Sequence, residues 1–332
     1  MRKVFFYSML LLLGVASSCK KDNSSNPDTS PRTDSLVSGA GYANDIYYSL
    51  ANGVVKIASR NNWDLAFSTP FRTASILINS GNGDSLFLWN GGTIADFNTA
   101  SGLIYSGNKS TNLDDTSWFN NSAFEQGMNL TNPYDAGWGL YNINTHDVDG
   151  DSVYILKLSN GSYKKIAILN KLGTDHSYTF VIANLQSGAS IDTVKIETSA
   201  YTARNFVYYS VSNKQIINDR EPDNTSWDFV FTRYDCRIPY YPLVTGLLTN
   251  EGISSAKLSG ADTSKTYNQV SYTKKLTGIG FDWKHFNNNT YTYDVVNPYY
   301  FVKTLSNHYY KIKFKSFDYT TGRTDFVKTL VK

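Results

Sequence analysis

The chain of 332 residues is poor in cysteine, methionine, glutamate and long apolar runs. Its two cysteines are Cys19 and Cys236, and Cys19 sits at the end of an export signal described below, so the fold is not expected to rest on an intramolecular disulfide. Charged residues make up 18%, under the usual quarter, and the acids are almost all Asp, with four Glu in the whole chain. Glu is among the residues that build surface helices, so its scarcity argues against a helical protein. No run of basic residues is longer than a pair such as Lys20-Lys21. Setting aside Arg2 and Lys3, the basic groups nearly balance the 28 acidic ones, which speaks against nucleic acid or an anionic membrane surface as partner. There is no Cys-x-x-Cys, phosphate-binding glycine loop or zinc spacing.

What is abundant is aromatic: 25 Tyr and 18 Phe in a chain that is 41% hydrophobic. Such a composition can bury enough surface to offset its ordering entropy. Tyr, Phe, Thr and Val suit pleated sheets, and no long segment shows capped helical periodicity. The expected class is all-β.

Arg2 and Lys3 precede an apolar run from Val4 to Val15, then Ala16, Ser17, Ser18 and Cys19. The run is shorter than the ~20 residues needed to span a bilayer. Lys20, Lys21 and Asp22 follow, and the stretch to about Gly41 is rich in Ser, Asn, Pro, Asp and Gly. The pattern resembles a bacterial lipoprotein signal. That resemblance implies removal of residues 1–18, lipidation of Cys19 with palmitate-type chains, and a lipid-anchored, surface-exposed place in the outer membrane. Residues 19–41 then read as a flexible tether that, as a coil of ~20 residues, holds the globule about 25 Å from the lipid.

Two halves of the chain share four blocks in the same order. Ile46-Tyr47-Tyr48-Ser49-Leu50 returns as Val207-Tyr208-Tyr209-Ser210-Val211, and Asn62-Trp63-Asp64-Leu65-Ala66-Phe67 returns as Ser226-Trp227-Asp228-Phe229-Val230-Phe231. Gly137 and Gly139 match Gly278 and Gly280. Leu158-Ser159-Asn160 with its following Tyr-Lys-Lys-Ile matches Leu305-Ser306-Asn307 with Tyr309-Tyr310-Lys311-Ile312. This predicts an internal duplication into two antiparallel β units, residues 42–185 and 204–332, joined by a connector at 186–203. Hairpins are expected across Asn160-Gly161 and across Asn307-His308. The Trp-Asp pairs read as structure, a buried Trp with an Asp accepting backbone hydrogen bonds.

The second half carries Trp227-Asp228-Phe229-Val230-Phe231-Thr232-Arg233-Tyr234-Asp235-Cys236-Arg237, then Tyr300-Phe301-Val302-Lys303 and Lys311-Ile312-Lys313-Phe314. It resembles the HmuY-like family of haem-binding surface lipoproteins, well over 204–332 and weakly over 44–185. The resemblance implies an all-β protein for iron acquisition that takes haem, free or from haem-carrying host proteins, and passes it to an outer-membrane transporter. It implies haem as cofactor, and touches the membrane only through the anchor. Porphyrin needs an apolar cleft, and its iron takes nitrogen or sulfur ligands. His285 matches one family ligand by place. No His or Met occupies the partner's region around 253–275, and Met128, alone after the signal, excludes a Met pair. A second axial ligand would be a Tyr or a His from the other half, and His146, two places beyond the counterpart of His285, is that candidate. The open alternative is a ligand-free structural or adhesion-type surface lipoprotein of the same fold.

Other residues have plainer readings. His308 and His176 look like turn residues. Gly83-Asp84-Ser85-Leu86 spells a hydrolase nucleophile motif, and Asp282 to His285 gives the Asp-x-x-His of such enzymes. Ser85, however, follows a turn-rich stretch and should open a strand rather than sit between a strand and a helix, so no catalytic residue and no enzyme is expected. Asp147 to Asp151 carries oxygen ligands without a closing acid, and reads as a loop of Asx turns rather than a calcium site.

Overall fold

The computed structural model describes residues 28–103, 115–120, 122–125, 128–236, 243–296 and 298–332. The export signal, Cys19 and Arg237 lie outside them. Among the described residues, all regular structure is β apart from short 3₁₀ turns, and no helix is long and apolar enough to cross a membrane.

The strands form two sandwiches. One joins a four-stranded sheet (Gln215–Ile217, Phe206–Ser210, Leu65–Ser68, Ile76–Ile78) to a seven-stranded sheet centred on Tyr163–Leu172 and Ser177–Asn184. The other joins a four-stranded sheet (Leu243–Thr249, Phe229–Asp235, Asn44–Ser49, Gly53–Ser59) to a five-stranded sheet. The five strands run in the order Arg32–Val37, Arg323–Leu330, Tyr309–Asp318, Tyr299–Lys303, Ser254–Leu258. The first core gathers Phe67, Leu156, Ile168, Phe180 and Tyr209; the second gathers Tyr48, Phe231, Val302, Phe314 and Phe326.

The Tyr-Tyr pairs show why both four-stranded sheets carry nearly unbroken apolar runs. Side chains alternate across a strand, so Tyr48 and Tyr209 enter the two cores while Tyr47 and Tyr208 point the other way. On that side Tyr47 meets Trp227 edge-on at 5.0 Å, and Tyr208 meets Trp63 at 5.0 Å. A small cavity of about 80 Å³ lined by Tyr47, Trp63, Tyr208 and Leu248 lies between the two sheets, so both are buried on both faces. The seam also buries an ion pair of Arg220 with Asp45, where the guanidinium lies 5.1 Å from the Trp63 ring and 5.0 Å from that of Tyr208. The molecule is thus four layers deep. In the five-stranded outer sheet, Tyr309–Asp318 alternates as a half-buried strand should: Tyr310, Ile312 and Phe314 are buried, while Lys313 faces out.

The expected boundaries do not coincide with the sandwiches. Tyr48 pairs with Phe229 and Tyr47 with Val230, while Leu65 pairs with Tyr209 and Phe67 with Val207. Each sandwich is therefore completed by strands from the other half of the chain. One holds 65–217; the other holds 32–59 and 229–332. The connector at 186–203 contains a strand, Asp192–Glu197, on the edge of Ser177–Asn184, and the expected tether contains Arg32–Val37 on the edge of Arg323–Leu330. Both edge strands have a largely exposed or half-exposed burial pattern, so ladder hydrogen bonds rather than an apolar pattern hold them.

The local expectations fare better. The first hairpin pairs Lys157 with Tyr163 and has Gly161 at φ 85°; the second pairs Lys303 with Tyr309. In the second, the left-handed residue is Asn307 (φ 62°) rather than His308. Ser85 opens a strand, Ser85–Leu88. Asp147–Asp151 is not a loop throughout: Val148–Gly150 is a strand, and Asp147 accepts from the Gly173 N–H at 2.7 Å.

Candidate functional site

The second sandwich opens at one end into a cleft of about 370 Å³. The strand ends at Arg233 and Leu243–Thr245 make one wall, and Tyr42 and Phe317 another. The hairpin Lys284–Asn287 with Thr292–Val295 makes the third. Glycine sets that hairpin in place. The Gly280 carbonyl accepts from Leu247 N–H at 3.0 Å, and a side chain on Gly246 would meet the Gly280 oxygen at 2.5 Å. Gly280 itself has φ 65°, which glycine tolerates. The Gly-Ile-Gly block therefore seats the hairpin, and Trp283 stacks on Phe314 with centroids 4.1 Å apart.

Lys284 is buried, and its Nζ donates to the Thr245 carbonyl. It lies 4.5 Å from the Trp283 ring and 4.6 Å from that of Phe317. Burial pushes its ammonium down to about 7. The Arg233 guanidinium stands 5.3 Å over the Tyr42 ring. Burial raises the Tyr42 and Tyr293 hydroxyls above the ordinary tyrosine value, so both stay protonated at neutral pH.

His285 lies exposed on the hairpin, opposite Asp294, and contributes to the cleft. His146 does not. It occupies the turn between Gly139–Tyr141 and Val148–Gly150 in the other sandwich, at φ 63°. There its Nδ1 meets the Tyr141 hydroxyl, and its ring lies 5.7 Å from that of Phe71. The two candidate ligands are thus on different sandwiches with no shared neighbour. His176 is a turn residue (φ 50°) on the other flank of Phe71, and His308 lies in a hairpin loop, bonded to Ser306 Oγ at 2.9 Å.

Ser85 and His285 likewise belong to different sandwiches, and Asp282 is paired with Lys257 at 2.5 Å. No nucleophile–base contact forms. The Trp-Asp pairs are structural: Asp64 accepts from Val211 N–H at 2.6 Å, and Asp228 from Leu50 N–H at 2.6 Å.

The cleft brings aromatic side chains together with the basic side chains of Arg233 and Lys284. Its volume falls at the small end of the ~300–1,000 Å³ usual for ligand sites. Its lining would offer haem aromatic side chains, basic side chains for its carboxylates, one imidazole and the protonated hydroxyls of Tyr42 and Tyr293. No group of three or more His, Cys, Asp or Glu that could hold a bare metal ion occurs among the described residues. Reading the sequence alone did not single out Lys284 or Tyr42. The available signal for Lys284 was its place between Trp283 and His285 on an alternating strand, which aims it inward when His285 faces out. No protein-family model matches the chain, and no curated protein is significantly similar to it.

Proposed function

We propose that this chain is a cell-surface lipoprotein that captures haem in the cleft beside His285 for delivery to an outer-membrane transporter. The observation that carries the reading is a cleft in which the exposed His285 imidazole, five aromatic side chains and the basic side chains of Arg233 and Lys284 meet, with no carboxylate among its described lining residues. Within it Tyr42, Phe281, Phe286, Tyr293 and Phe317 would hold the apolar porphyrin and exclude water. The His285 imidazole would be the side chain that offers a nitrogen to the iron. Bound haem would contribute the redox-active iron and its absorbance.

Haemin titration of the whole chain should give a sharp Soret band at near-stoichiometric haemin, and His285→Ala should weaken binding and move the band. A featureless titration, or a variant indistinguishable from the parent, overturns the haem reading. A second reading, a ligand-free adhesion-type surface lipoprotein, is favoured by the presence of one imidazole rather than two, and a featureless titration selects it. Anchoring rests on Cys19: Cys19→Ala should leave the membrane fraction, and unchanged fractionation refutes the anchor. The matching contacts in the two sandwiches support reading the halves as copies of one ancestral unit.

A further inference from the structure

The described part of the molecule buries several lysines, and three of them differ in how their ammonium groups are satisfied. Lys165 Nζ donates to three carbonyls, those of Asn98, Ala100 and Gln186, at 2.9 to 3.0 Å. Lys171 Nζ donates to two, those of Phe71 and Thr73. Lys284 Nζ, 8% exposed, donates to one, that of Thr245, and otherwise faces the rings of Trp283 and Phe317. An ammonium has three donors, and a buried one normally finds oxygen partners for them. The nearest acid in sequence, Asp282, pairs with Lys257 at 2.5 Å and also favours the charged form of Lys284 through space. Among the described residues no Asp or Glu lines the cleft, whereas Arg233 does.

We propose that Lys284 and Arg233 form a carboxylate subsite, so that the cleft selects flat apolar molecules carrying a carboxylate, whether or not they hold a metal. The subsite deepens the haem reading and rests on it only for the disc shape of the ligand. Lys284 presents a compact charge backed by ring faces, and Arg233 a planar fork that can take both oxygens of a carboxylate. The ring faces stabilise the cation without occupying its donors, and a ligand carboxylate would take those donors over.

The test uses metal-free protoporphyrin IX, its dimethyl ester and haemin with the whole chain, followed by porphyrin fluorescence and absorbance. The free diacid should bind at least tenfold more tightly than the diester. Lys284→Met should lose about that tenfold advantage, and Arg233→Gln several-fold of it, with the diester unaffected in each. Far-ultraviolet dichroism checks that the variants fold; if Lys284→Met does not, Arg233→Gln and the diester comparison decide. Equal binding of diacid and diester overturns the subsite even if haemin binds with its Soret band intact. Diacid binding without a Soret response to haemin keeps the subsite and removes the haem reading. If no porphyrin binds, both fall.

Discussion

The two sandwiches are built alike at their seam and unlike at their ends. At the seam, Asn79 Nδ2 donates to the carbonyls of Arg60 and Trp63, and Asn250 Nδ2 donates to those of Asn224 and Trp227. Asp64 N–H donates to the Tyr209 carbonyl, and Asp228 N–H to that of Tyr48. At the ends the likeness stops. In the first sandwich Trp138 Nε1 donates to the Ala74 carbonyl at 3.0 Å, and Lys171 is tied to the carbonyls of Phe71 and Thr73. In the second, Trp283 Nε1 is buried without a hydrogen-bond partner and Lys284 has one carbonyl. At these two ends, the first sandwich gives the Trp138 and Lys171 donors to its own backbone, whereas the second leaves Trp283 Nε1 unpaired and Lys284, at the cleft, with one carbonyl. The difference teaches where to look for binding, because unsatisfied buried donors are costly to keep.

The sharpest way to break the seam is Asp45→Ala. Asp45 holds Arg220 and accepts from Thr232 Oγ1 at 2.7 Å, and the Arg220–Asp45 pair is almost fully buried. Removing one partner of a buried pair leaves an uncompensated charge and costs about 3–5 kcal/mol. Denaturant unfolding should show that loss as one cooperative transition, because each sandwich borrows strands from the other half. Two separated transitions would mean that the sandwiches unfold independently.

Next come Asn79→Ala and Asn250→Ala. Each orphans two buried carbonyls, so each should cost roughly 1–3 kcal/mol. Asn250 also accepts from Asn205 Nδ2 and Glu251 N–H, so it should be the costlier of the two. A silent variant at either position would show that the seam is less alike than its hydrogen bonds.

The all-β class, both hairpins and the roles of Trp63, Asp64, Trp227 and Asp228 were legible because they depend on local pattern. Strand exchange was not. The pattern at Ile46–Leu50 says that a strand has two apolar faces, but which partner covers them is decided by pairing across 180 residues of chain. The edge strand Arg32–Val37 was hidden for another reason: it buries Leu36 and otherwise offers mainly backbone. At the site, His285 could be singled out from a resemblance, whereas Tyr42 enters the cleft only because the exchanged N-terminal segment runs past it.

A smaller effect should appear with pH. Burial pushes the Glu221 carboxyl up to about 7, against the hydrogen bonds it accepts from Asn205 and Phe206 N–H and the nearby Tyr208 and Arg220. Its folded value lies above its unfolded one, so between about pH 4.5 and 7 the native state holds a proton that the unfolded chain has released. Stability from this group is present below that window and lost as pH rises through it. Asp84, pushed up to about 8 by burial and by Asp64, acts in the same direction from its ordinary value of 3.8. Glu221→Gln should therefore flatten part of the decline in melting temperature from pH 5 to 7. An unchanged slope would show that Glu221 keeps its ordinary acidity in the fold.

The smallest effect separates the two histidines. His146 packs on Phe71 and Tyr141 in a left-handed turn and reaches no part of the cleft, while His285 lies on its wall. Replacing the exposed His285 with Ala should move stability by less than ~0.5 kcal/mol, as at an ordinary surface site. His146→Ala removes one side-chain hydrogen bond, worth about 1 kcal/mol, and should leave haemin titration unchanged. The pair thus crosses over: one variant touches stability and spares the ligand, and the other does the reverse. Equal loss of haemin binding in both would require the two imidazoles to reach the same iron, which the placement of His146 on the other sandwich opposes.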